Sequence, residues 1–187
     1  YRRPLGAKAF LDLATFYNQF DELQSIELDG NGIGFYDNQV EADAWGVEAA
    51  LDFDPRADWR LRTSYSFMDM DFEAEEGSFE NVGDFVDTKD ELVPRHRLAL
   101  RSYYDLGEDW ELDTGVYWTD EHSAYFFENP AYWRLDARLG WRPSERLEFS
   151  LGVQNAQRRE HPEAGEDIYW YGSLVERLVY ASLRVSI

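Results

Sequence analysis

Eight times along this chain, apolar and polar side chains alternate with a period of two, a pattern no helix can satisfy. In residues 147–154, Leu147, Phe149, Leu151 and Val153 alternate with Glu148, Ser150, Gly152 and Gln154. An extended backbone sends successive side chains to opposite faces, so this stretch reads as a strand with one dry face and one polar face. Residues 11–18, 45–53, 59–67, 97–104, 110–118, 133–141 and 179–187 read the same way. The expectation is an all-β chain forming a single unit over residues 1–187.

The links between these segments are sorted by length. "DPRAD" (54–58), "LGED" (106–109) and "RPSER" (142–146) are short and rich in turn formers. The links at 29–43, 73–95, 120–132 and 158–176 are long, and short and long alternate strictly. An antiparallel up-and-down sheet gives this order when one end carries tight turns and the other carries large loops.

Charge and composition remove several functions. The formal net charge is −20, from 38 acidic against 18 basic residues, which argues against a nucleic-acid partner. Aromatics make up 17% of the chain, far too many for a disordered acidic segment. Cysteine is absent, so disulfides, thiolate metal sites and cysteine nucleophiles are excluded. No apolar run reaches the roughly 18 residues of a membrane helix, and the opening "YRRPLGAKAF" lacks the apolar centre of a signal peptide. A transmembrane barrel needs no such run, because its strands carry only alternating segments of about ten residues.

The aromatic positions bear on what the dry face touches. Phe53, Trp59, Trp110 and Trp141 stand on it beside the short links, and Trp45, Phe67, Trp118 and Trp133 stand on it near the long ones. Two such rows match the girdles at the two interfaces of a bilayer. The opposite face carries charges of both signs, among them Asp52, Arg62, Arg101, Glu111, Arg138 and Glu148, which suits a watery lumen with cross-strand ion pairs. Three alternatives stay open on the residues alone: a soluble β-sandwich binding module with its dry face as core, a free-standing small outer-membrane barrel acting as adhesin or structural element, and a barrel enzyme.

The order of motifs resembles the C-terminal part of the β-barrel of TonB-dependent outer-membrane receptors, over nearly the whole chain. "NPAYWRLDARLGWRPSERLEFSLGVQNAQRREHPE" resembles the family's Y-x-x-L-D-x-R-x-x-W-R-P stretch, its L-x-L-x-x-x-N-L strand and the following H-x-E. Asn155 takes the family Asn, Ala156 stands where Leu is usual, and His161 and Glu163 supply the last motif. "LDLATFYNQFDEL", "AWGVEAALDFDPRADWRLRTSYSFMDMDFE" and "VPRHRLALRSYYDL" resemble earlier strands of the same barrel. The resemblance implies a barrel of about 22 strands around an N-terminal plug. It implies import of a scarce nutrient such as a ferric siderophore, vitamin B12, another metal complex or a glycan, driven by the TonB complex through the plug. About eight strands and no recognisable plug make the expected piece the last third of such a receptor, from a partial gene. The implied location is the outer membrane of a Gram-negative bacterium, in contact with lipid and lipopolysaccharide. The short turns then lie in the periplasm and the long acidic loops outside. The family usually ends in an aromatic; this chain ends in Ile187.

Candidate ligand contacts are Tyr125, Phe126, Phe127, Tyr169, Trp170 and Tyr171 in the long loops, which could form an aromatic platform or simply pack the loops. His96, His122 and His161 fall on three separate connections, so no metal site is expected. The acidic run from Glu73 to Glu91 reads as a solvated loop, with a calcium bridge to lipopolysaccharide as the alternative. No catalytic set, nucleotide loop or zinc signature is present, so neither enzyme activity nor a cofactor is expected.

Overall fold

A computed structural model describes residues 1–81, 86, 89, 92–124, 127–164 and 173–186. Its frame is a nine-stranded antiparallel sheet. The strands are β1 (Arg2–Pro4), β2 (Ala9–Leu28), β3 (Gly34–Arg56), β4 (Trp59–Ala74), β5 (His96–Leu106) and β6 (Trp110–Thr119). The short pair β7 (His122–Ala124) and β8 (Phe127–Asn129) follows, then β9 (Tyr132–Ser144) and β10 (Leu147–Gln154). A second short pair, β11 (Glu160–Ala164) and β12 (Ser173–Glu176), precedes β13 (Leu178–Val185). The sheet order is β1-β2-β3-β4-β5-β6-β9-β10-β13, and each short pair is a separate hairpin inside a long link. Chain neighbours are sheet neighbours throughout, which is the up-and-down arrangement that the sorted links require. No α-helix occurs among the described residues.

Register keeps the two faces apart. Trp110 pairs with Trp141, Leu112 with Leu139 and Val116 with Leu135, while Asp113 pairs with Arg138 and Tyr117 with Arg134. A slip of one residue would put every charge on the apolar face, so the pattern itself fixes the pairing.

The first long link departs from the sequence reading. Residues 29–43 were expected as a loop; only Asp29–Ile33 turns, and β2 and β3 run on as a tall hairpin. The Asp29 carboxylate accepts the amides of Asn31 and Ile33, each at 2.8 Å, and Gly32 takes φ +77° at the tip. Those two amides hold the Asp29 carboxyl below the usual range. The alternation escapes a period-two reading because a bulge interrupts it. Glu22 adopts φ +56°, and the register shifts between Phe20 and Leu23. One extra residue turns Leu23, Ser25 and Glu27 onto the face held by even-numbered residues lower in β2.

Buried apolar side chains are few. Among the described residues they are Val40, Ala42 and Ala44 on β3 and Val86 in the link after β4. The sheet otherwise has no hydrophobic core of its own.

Candidate functional site

The apolar face is uncovered. Leu151 is 59% exposed and Trp45 47%, and Leu135, Leu139, Phe149 and Trp110 are exposed beside them. A soluble module cannot leave so broad an apolar surface in water. Ring contacts run across this face in two rows. Toward the short turns, Trp110 stacks on Trp141 at 5.7 Å and Trp141 on Phe149 at 5.7 Å, while Trp59 packs edge-on against Tyr104. Phe53 stands at the same end of β3, opposite Leu61. Toward the long links, Trp45 meets Phe67 at 5.0 Å, Phe67 meets His96 at 5.1 Å, His96 meets Trp118 at 6.4 Å and Trp118 meets Trp133 at 6.0 Å.

His96 corrects the sequence reading, which put it on a connection. It opens β5, stacks within this row, and its Nδ1 lies 2.8 Å from the Tyr65 hydroxyl. The "P-x-H" position could have signalled this, since His96 lies two residues before Leu98 on the same face. His122 and His161 sit in the hairpins of two different links. Among the described residues no group of three or more metal-binding side chains converges.

The opposite face is polar and ion-paired. Arg138 is the hub: its guanidinium reaches Glu111, Asp113 at 2.9 Å, and Glu148. Arg142 joins Glu111, and Arg184 joins Glu148 at 3.2 Å, tying β6, β9, β10 and β13 together. On β3 and β4, Asp52 pairs with Arg62 at 3.0 Å. Between these clusters lies a band of arginine and tyrosine. Arg60 lies 5.6 Å from the Tyr103 ring, and Tyr117 is flanked by Arg101 at 5.6 Å and Arg134 at 4.3 Å. A hollow of about 590 Å³ opens beside Arg97, with Ala14, Ala50, Ser64 and Ala99 among its lining. Small side chains leave that space, and Glu48 and Tyr117 border it.

At the tall end, the link after β4 folds onto the polar face of the hairpin. Glu27, turned inward by the Glu22 bulge, accepts from the Ser78 hydroxyl and the Phe79 amide, both at 2.7 Å. Burial pushes its carboxyl up, but these bonds and one from Ser25 outweigh that and hold it below the usual range. Glu80 accepts the Ile26 amide at 2.9 Å and pairs with Lys89 at 3.1 Å, with both side chains buried. The part of the acidic run that the structure describes is therefore docked rather than solvated at Glu80. At the long-link end of β10, Asn155 takes φ +54° and is 0% exposed. Its amide donates to Asp136, and its Nδ2 donates to the Val175 carbonyl at 3.0 Å, which pins the start of the last long link.

Of the sequence-derived ligand contacts, Tyr125, Phe126, Tyr169, Trp170 and Tyr171 lie outside the described residues, as does Ile187. Phe127 belongs to β8 by its backbone, and its side chain lies outside the description.

An unclosed, all-antiparallel sheet with a bare apolar face and a polar, ion-paired face is a piece of barrel wall. The sequence matches the family described as TonB dependent receptor-like, beta-barrel, over residues 4–156, and the chain belongs to it. That family comprises receptors and transporters rather than enzymes. No curated protein sequence matches the chain. The fold is similar to the ferric yersiniabactin uptake receptor FyuA from Yersinia pestis, at 20% identity and TM-score 0.77, over 98% of this chain and 28% of that one. It is also similar to the siderophore receptor PiuA from Acinetobacter baumannii, at 17% identity and TM-score 0.74, over 95% and 26%. The ferric-catecholate import receptor Fiu from K12 E. coli matches at 17% identity and TM-score 0.73, over 96% and 26%. This chain thus spans about a quarter of the length of those receptors.

Proposed function

We propose that this chain forms part of the wall of an outer-membrane receptor that imports a scarce nutrient into a Gram-negative periplasm, drawing energy from the TonB complex. The bare apolar face bounded by two aromatic rows carries this reading. Phe53, Trp59, Trp110 and Trp141 sit at one bilayer interface and Trp45, Phe67, Trp118 and Trp133 at the other, with hydrocarbon against the leucines between. The polar face lines the lumen. The short turns lie in the periplasm and the tall hairpin outside, in contact with lipopolysaccharide. Family membership and the fold likeness to siderophore receptors favour a ferric siderophore or a similar metal complex as cargo. The loop aromatics Tyr125, Phe126, Phe127, Tyr169, Trp170 and Tyr171 contribute to its capture.

This stretch of 187 residues holds no cysteine, so a cysteine introduced into it is its single label once any cysteine elsewhere in the native gene product is replaced. Nitroxides at Leu112, Leu135 and Leu151, in outer membranes of cells expressing the native gene, are expected to collide with oxygen and not with a polar nickel reagent. Labels at Asp113 and Gln154 are expected to show the reverse. Recovery of the chain in the soluble fraction, or shielding of all five positions, overturns the assignment.

A further inference from the structure

The link from β6 to β9 folds into the β7–β8 hairpin, and two side chains there lack the partners that burial demands. His122 and Asn129 are register partners across the hairpin, so they project side by side from one face. The Asn129 Oδ1 and the His122 Nδ1 are buried, and neither has a hydrogen-bond partner among the described residues. Asn129 as a whole is 3% exposed. An unpaired buried polar atom costs stability that an apolar side chain of similar shape would not. Two such atoms side by side call for an explanation in function.

Both residues line a cavity of about 700 Å³, within the usual range for a small-molecule site. The link sits inside the sheet order, with β5 and β6 on one side and β9 and β10 on the other, away from both sheet edges. Two of the other polar groups lining the cavity are already engaged. Arg95 pairs with Asp69 at 3.1 Å, and the His96 Nδ1 meets the Tyr65 hydroxyl. Asp120, two residues before His122, accepts the Glu121 amide with one oxygen, and a carboxylate has lone pairs to spare. The groups left to a guest are therefore acceptors: the Asn129 oxygen, the His122 Nδ1 in its Nε2–H tautomer, and the carboxylates of Asp120 and Glu121. The Ser123 hydroxyl can accept as well, and Val93 and Pro130 add an apolar patch.

A divalent cation does not fit, because no group of three or more metal-binding side chains converges here among the described residues. A primary ammonium brings three N–H donors and one positive charge, and an alkyl body behind it would lie against Val93 and Pro130. The net charge of −20 favours the approach of such a cation. We propose that this cavity binds a primary alkylammonium ion, with Asn129, His122 and Asp120 accepting its N–H groups. The site does not depend on which sheet face meets lipid.

Protein made from the native gene is purified in detergent and titrated calorimetrically with putrescine, with 1,4-butanediol as the uncharged molecule of the same shape. Putrescine is expected to bind and butanediol not. Asn129→Leu is expected to weaken putrescine about tenfold and, because it removes a buried unpaired group, to slow hydrogen exchange at the hairpin amides. A purely structural asparagine would give faster exchange on replacement. Asp120→Asn is expected to weaken putrescine by a similar factor, and it decides the matter should Asn129→Leu fail to fold. Glu73→Gln, an equal loss of charge on β4, is expected to leave binding unchanged. The assignment is overturned if putrescine does not bind, if butanediol binds as well, if Asn129→Leu loosens the hairpin, or if Glu73→Gln weakens putrescine as much as Asp120→Asn. Displacement of putrescine by an equal concentration of magnesium would overturn it too, since the carboxylates alone would then be the site.

Discussion

Phe16 on β2 covers Gly46, its register partner on β3, so closely that no Cβ fits there. The Phe67 carbonyl closes the site from the other side, so a methyl group at position 46 meets backbone as well as a ring. At Gly152 the three atoms nearest an added Cβ all belong to the Tyr180 side chain, which can swing away. Gly46→Ala is therefore expected to cost about 1–3 kcal/mol and Gly152→Ala clearly less. Urea unfolding of the two variants in detergent checks the order; equal losses would contradict it.

Glu27 holds the link after β4 by two short bonds, with its carboxyl below the ordinary range. A group lowered on folding contributes stability at pH above its unfolded value and loses it as pH falls through the folded one. Protease cleavage of residues 75–81 is expected to rise on acidification below the ordinary carboxylate range. Glu27→Gln is expected to remove most of that pH dependence while costing the docked link about 1–3 kcal/mol.

Lys89 and Glu80 form a buried pair, with side chains 6% and 5% exposed. Removing one partner strands the other charge, which typically costs about 3–5 kcal/mol, whereas a well-packed apolar replacement of both is close to neutral. Lys89→Met is thus expected to release the link, and Lys89→Met with Glu80→Gln to restore most of it, because the neutral amide oxygen still accepts the Ile26 N–H. Hydrogen exchange at the Ile26 amide would follow both.

Above the upper aromatic row, Asp43 stands opposite Asp71 and Glu41 opposite Glu73. Asp71→Asn is expected to stabilise the hairpin by about 0.2–1 kcal/mol at low salt. The gain should shrink near 1 M salt, where the screening length is about 3 Å. A gain independent of salt would refute the repulsion.

The alternating segments were legible because a strand's period needs no distant information. Seven of the eight fall within strands of the large sheet, the last one coincides with β13 over residues 179–185, and the three short links are its tight turns. What was not legible depends on pairing across the chain. The tall hairpin was hidden by the bulge at Glu22, which reverses the alternation halfway along β2. The docking of Glu27 to Ser78 joins residues 51 positions apart, with no local pattern to announce it. His96 looked like a loop residue because its ring neighbours Phe67 and Trp118 come from other strands. The charges of the polar face were visible one strand at a time; only register showed that Arg62 pairs with Asp52 while standing opposite Arg101.

The outer edge of β13 has no strand beside it among the described residues, and the same holds for β2 beyond its short pairing with β1. In water such margins are hydrated at little cost, but hydrocarbon offers them nothing, and each bare amide or carbonyl there costs several kcal/mol. Insertion and seam formation are consequently one thermodynamic event for this wall. On the proposed membrane reading it enters lipid as part of a sealed cylinder, and half-built versions belong at the water boundary.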